Sequence, residues 1–149
     1  MASTSKQYKV ADAVAATLNA AFSATFTAVV RPVPMFRVED LTDLKVSVAP
    51  MSMETDMSAR LADGNDVMVG VGVQQRIGES ADAARCDVLA KICEDILDFM
   101  HTDRRALTGY AAAKVIEGTI DPVLDPTIFR EHHVFLGVVN LTYRIEDVA

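Results

Sequence analysis

The sequence predicts an α+β fold: an antiparallel or mixed sheet of four to five strands packed against two main helices. Three observations lead there. Two stretches, about 8–22 and 81–101, carry apolar residues at the period of an amphipathic helix. Several others alternate at the two-residue period of a strand. The strands also follow one another through short or hairpin-like connections, which implies antiparallel pairing with helices segregated to one face. At 149 residues the chain reads as one domain, 1–149. A domain of about 150 residues buries roughly 68–70% of its unfolded surface and needs no disulfide or metal to fold.

In the first helix Val10, Val14, Leu18 and Phe22 recur every four residues, joined by Ala11, Ala15 and Ala21. Thr25–Arg31 follows as a strand of β-formers, stopped by Pro32 and Pro34, which cannot donate to a ladder. Leu44–Val48 alternates and makes a second strand, closed by Pro50. From Met51 to Asn65 the chain is polar without a clean period and reads as a long loop, with Asp63-Gly64-Asn65 as a turn signal. The most regular strand is Asp66–Ile77, with Val67, Val69, Val71 and Val73 on one face and Met68, Gly70, Gly72 and Gln74 on the other. Two glycines on one face are expected to admit a helix backbone, with the Ala-rich first helix as occupant.

The longest helix, about Ala81 to His101, has the stripe Cys86, Leu89, Ile92, Cys93, Ile96, Leu97 and Met100. Asp87, Lys91, Glu94, Asp95 and Asp98 are left for solvent. Tyr110–Ile120 reads as a strand, although its alanines also permit helix. Pro126–Phe129 suggests one helical turn, and Val134–Ile145 is a final strand whose bulk comes from Phe135, Val139, Leu141, Tyr143 and Ile145.

Composition excludes several functions. Fourteen Lys and Arg against 21 Asp and Glu give a net charge of −7. That disfavours general nucleic-acid binding, which needs clustered cations on phosphate, and peripheral binding to anionic membranes. Cys86 and Cys93 lie seven residues apart in a helix, so their Cα atoms are about 10 Å apart. A disulfide tolerates about 7 Å at most, so both are expected to be small core residues in a reducing compartment. Met1–Lys6 lacks the apolar segment of a signal peptide, and no apolar run approaches the ~20 residues that span a bilayer. Asn140-Leu141-Thr142 fits a glycosylation acceptor, which matters only for an exported chain.

The motif search finds no enzyme. His132 and His133 are adjacent, so in an extended segment they point to opposite sides and share a metal poorly, and Glu131 does not complete a ligand spacing. His101 near Arg104 and Arg105 suits the negative end of a helix dipole. Glu94 and Asp98 at i, i+4 fit a solvated helix face, where Lys91 and Asp95 form an ordinary pair. Gly70-Val71-Gly72 with Gly78 has the wrong spacing for a phosphate-binding turn. Neither metal nor cofactor is expected.

Two features exceed what a monomer needs. Met51, Met53 and Met57 sit among charges in the long loop, and methionines suit adaptable contact surfaces. Pro32-Val33-Pro34-Met35-Phe36 is a rigid apolar patch that either packs inside or faces a neighbour.

Val10–Ala15 leading to Phe26–Pro32, then Asp40–Pro50, the Val-rich strand, the helix through Asp87 to Met100 and the closing Phe135–Arg144 together resemble a family of tailed-bacteriophage proteins. These are the small neck proteins, in particular tail terminators and tail-completion proteins. The resemblance covers most of the chain as a pattern of elements. It implies a structural virion subunit that forms a ring, typically a hexamer, closing the head-proximal end of the tail tube. The implied partners are further copies of the chain, the major tail tube protein and the head–tail connector, with genomic DNA passing through unbound and no membrane. The implied location is the virion neck, and the host cytoplasm during assembly. In such subunits the long hairpin loop and edge strands make the contacts, which points to Met51, Met53, Asp56, Met57 and Arg60, with Arg104 and Arg105 after the long helix. Three alternatives stay open: a neck or head-completion protein of the same region, a small metal-binding hydrolase-like domain using Glu131, His132 and His133, and an adaptor or chaperone that binds as a dimer.

Overall fold

The computed structural model describes residues 4–36, 41, 43–55, 63–77, 83–102 and 107–147. The element order is α1 (Lys6–Phe22), β1 (Ala28–Val30), β2 (Lys45–Thr55), β3 (Asp63–Arg76), α2 (Ala83–His101), β4 (Ala113–Ile120), α3 (Pro126–His132) and β5 (Val134–Asp147). The strands form one five-stranded sheet in the order β1-β2-β3-β5-β4. Only β1 and β2 run parallel; the other three pairings are antiparallel, so the sheet is mixed and the fold is α+β as expected.

The alternation of apolar residues sets which face is buried. Val67, Val69, Val71 and Val73 of β3 and Val139, Leu141, Tyr143 and Ile145 of β5 are all inaccessible, and they pack in one core with Val46 and Val48 of β2. α1 and α2 cover this face. From α1 come Val10, Val14 and Leu18; from α2, Leu89, Cys93, Ile96 and Met100. The two helices meet through aromatic rings, with Phe22 stacked on Phe26 at 5.3 Å and edge-on to Phe99 at 5.4 Å. Ser5 caps α1 by accepting the Tyr8 N–H, and Asp125 caps α3 by accepting from Thr127 and Ile128, with Pro126 in the first turn.

Several sequence expectations change. The first strand is three residues long, because Asn19 of α1 donates to the Ala28 carbonyl and accepts the Ala28 N–H, fastening the chain to the helix. Pro50 does not close β2. It sits beside a bulge between Pro50 and Ser52, where a missing N–H is tolerated, and the strand continues to Thr55. Asp63–Asn65 belongs to β3 rather than to a turn. The expected 51–65 loop is therefore largely hairpin, and its residues 56–62 lie outside the described residues. Tyr110–Ile120 resolves as a strand from Ala113 onward.

The glycine expectation also fails at the named positions. α1 lies on the valine face, opposite Gly70 and Gly72. A Cβ on Gly72 would stand 2.2 Å from the Pro34 carbonyl oxygen, so the 32–36 segment is what rests there. Close helix approach does occur, but elsewhere. A Cβ on Gly118 would meet Leu97 at 2.5 Å, and one on Gly137 would meet the Cys93 sulfur at 3.1 Å, so α2 is the helix that needs glycines beneath it.

Two predictions follow from this packing. Gly72→Ala forces Pro34 off the sheet and should cost about 1–3 kcal/mol in a urea melt, in the range of core overpacking. The second concerns Cys93, whose burial pushes its thiol from the ordinary 9.0 up to about 12. A raised acid pKa leaves stability intact below pH 9. Above it the unfolded chain ionises while the folded thiol does not, so stability falls between pH 9 and 12. Burial raises the Tyr143 hydroxyl in the same direction. Urea midpoints should drop across this window, with a shallower slope in Cys93→Ala, and a thiol reagent at mildly alkaline pH should label Cys86 before Cys93.

Candidate assembly surface

The outer face of the sheet is divided. Over one half, Pro32 turns the chain off the edge of β1 and lays Pro34 across Gly72. The Phe36 N–H donates to Gln74 Oε1 at 2.6 Å, and the Arg31 guanidinium stands 4.3 Å from the Phe36 ring centroid. Ser47, beside Gly72, and Gln74 are buried there, and Leu136 and Val138 of β5 are buried on the same face. The apolar Pro32–Phe36 patch thus does both things open to it: it packs on the sheet, and it leaves Val33 51% and Met35 37% exposed.

The other half of the outer face is open and polar. Ser52, Glu54, Asp66, Met68, Ile116, Glu117 and Thr142 line a shallow cleft there. Arg144 spans it by a two-toothed bond to Asp66, Nε to Oδ1 at 2.9 Å and Nη2 to Oδ2 at 3.1 Å.

The two edges of the sheet are covered to different extents. β1 covers β2 only from Val46 to Val48, and the Arg31 N–H adds one bond to the Val48 carbonyl. Beyond that point no strand among the described residues pairs with the outer side of β2. β4 forms the opposite edge. Each edge carries a bulge with an exposed apolar side chain: Met51 in β2, 46% exposed, and Ile116 in β4, 45% exposed. Isolated exposed apolar residues are ordinary, but beside unpaired strand edges they make a candidate contact surface.

Of the interface residues expected from sequence, Met51 and Met53 are on this edge. They do not form one patch. Met51 sits over Gly70 on the outer face, whereas Met53 pairs with Val67 and turns to the helix face, its sulfur 3.9 Å from the Gln7 amide nitrogen. Asp56, Met57, Arg60, Arg104 and Arg105 lie outside the described residues. Ile116, Glu54 and Lys114 were not singled out from sequence. Lys114 and Ile116 fall in the stretch read as a strand and Glu54 in the stretch read as a long loop, and nothing local says that either is the edge of a sheet.

The histidine constellation is not drawn together into a ligand set. His132 ends α3, 3.9 Å from Glu131 and exposed, while His133 turns into the left-handed region at φ 54 and caps α3 through its N–H to the Phe129 carbonyl. That is a cap, not the extended placement expected. Among the described residues no three His, Cys, Asp or Glu side chains are grouped to hold a metal, and no helix is long and apolar enough to cross a membrane. His101 lies in the last turn of α2, as expected. A second cleft, between α1 and the turn before β4, is lined by Lys9, Asp12, Ala13, Ala16, Thr108, Gly109 and Tyr110.

Neither a family model nor a curated protein matches the chain. Among solved structures it is similar to the sheath/tube terminator of an extracellular contractile injection system in its extended state, at 10% identity and a TM-score of 0.45. The match covers 99% of this chain, which spans 58% of that chain's length.

Proposed function

We propose that the chain is a structural subunit that assembles into a ring at the head-proximal end of a phage-type tail tube and terminates it. The observation that carries this reading is the β2–β3 hairpin. It runs on past the three residues of β1, so that among the described residues no strand pairs with that side of β2 from Pro50 to Thr55, where Met51 and Met53 are exposed. Open strand edges are normally blunted or covered, and a chain that keeps two of them has somewhere to put them. The resemblance of the sequence to tail terminators supplies the class of assembly.

The partners in this reading are further copies of the chain, the tail tube protein and the head connector. DNA crosses the ring without being held. The exposed face of α2 carries Asp87, Glu94 and Asp98, and its Lys91 is engaged by Asp95, so with the overall charge of −7 it disfavours contact with phosphate. The chain acts by contact, with no catalytic step assigned to any residue.

Light scattering and negative-stain microscopy of the full chain test this directly. A closed ring of several copies is the expected particle, and adding it to polymerising tail tube protein should shorten the tubes. Met51→Asp should weaken this capping several-fold without lowering the melting temperature, since Met51 is exposed at a bulge. A chain that stays monomeric alone and with tube protein would sink the proposal. A ring that leaves tube length unchanged but binds the head connector would reassign it to head completion.

A further inference from the structure

One rung of the sheet carries charge across four strands. Glu54 of β2 pairs with Asp66 of β3, Asp66 with Arg144 of β5, and Arg144 with Lys114 of β4. Directly paired residues share a face, so the outer face carries the row minus, minus, plus, plus. Its centre is matched by the Asp66–Arg144 ion pair. At each flank a like-charged pair stands side by side, an arrangement that is unfavourable within a single sheet. Glu54 and Lys114 are both exposed, and each lies on a strand side left unpaired among the described residues.

From this row we infer that neighbouring copies of the chain join edge to edge, with β4 of one subunit adding to the Pro50–Thr55 segment of β2 in the next and Lys114 seated against Glu54. The inference rests on the ring reading above and names the contact that closes the ring. Strand direction supports it. β2 is antiparallel to β3, β3 to β5 and β5 to β4, so β4 runs antiparallel to β2. A rotation about an axis along the strands preserves both direction and face. It therefore brings β4 beside the neighbouring β2 as an antiparallel pair, outer face to outer face.

With Glu54 opposite Lys114, Met53 meets Val115 on the helix face. The two bulges, Met51 and Ile116, then come within about one residue of each other, apolar against apolar. The charge row becomes continuous, and each flanking like pair gains an opposite neighbour. Pairing either edge with its own copy about a two-fold axis does the reverse, bringing Glu54 towards Glu54 or Lys114 towards Lys114. The β1 end of the edge is closed, since Asn19 holds both backbone groups of Ala28. The neighbour is thus steered to the far half of β2.

The test uses the full chain and three variants, E54K, K114E and the double swap E54K/K114E, sized by analytical ultracentrifugation and by microscopy at low salt. Each single substitution should weaken self-association at least about tenfold. Its thermal midpoint should hold or rise, because it replaces a like-charged cross-strand pair within the monomer by an opposite one. The double swap should assemble like the original. An equal mixture of E54K and K114E should also form rings, because each edge then meets its complement on the other variant. Added salt should narrow the difference between the singles and the original chain. If both singles form rings as well as the original, the edge contact is wrong while the ring stands. If the original chain never assembles, the ring reading fails first and takes this contact with it.

Discussion

The pairing of β3 with β5 is the constraint on which the rest of the molecule depends. The two strands run antiparallel in unbroken register from Asp63 opposite Asp147 to Arg76 opposite Val134. Their inward residues, the four valines of β3 and Val139, Leu141, Tyr143 and Ile145 of β5, form the floor on which both helices lie. Because side chains alternate along a strand, a slip of one residue would turn that whole floor towards solvent. β2 and β4 then take the two flanks of this pair, and α1 and α2 take the flanks of the core above it.

The helices do not lie equally close. α1 meets the sheet through small and β-branched residues, Ala11, Val14 and Ala15 among them, and needs no gap beneath it. α2 brings Leu97 and Cys93 down onto Gly118 and Gly137, where any side chain would intrude. Tight packing of this kind leaves Cys93 and Tyr143 in surroundings that disfavour their charged forms. Both are thereby quiet core groups at neutral pH.

The outer face is treated differently along its length. Where Gly72 leaves room, the Pro32–Phe36 segment descends onto the sheet beside Ser47 and bonds Gln74, both of which are buried. Proline stiffness keeps that segment from continuing as a strand, which ends β1 early and, among the described residues, leaves the remainder of β2 without a strand on that side. The covered half and the open edge are consequences of one chain reversal. The charge row across Glu54, Asp66, Arg144 and Lys114 occupies the uncovered half, where water keeps its flanking like charges tolerable.

Much of this was legible in the sequence. Helical periodicity located α1 and α2 to within a few residues, the alternation of Val67 to Val73 identified the core strand, and the bulk of β5 fell on the positions that are buried. These follow from local geometry, since 3.6-residue and two-residue periods are properties of a chain segment alone. Less local matters were hidden. Pro50 looked like a strand end because proline lacks a donor, but only the sheet determines whether that donor is needed, and beside a bulge it is not. Gly70 and Gly72 announced a close approach without naming what approaches. Met51 and Met53 read as neighbours on one surface, yet the bulge at Met51 and the pairing of Met53 with Val67 send them to opposite faces. So the sequence by itself determined the elements, their buried faces and the acidic balance that argues against holding DNA. Which strands are edges, and which charges share a rung, was decided only by the tertiary structure, because register joins residues such as Glu54 and Lys114 that are 60 positions apart.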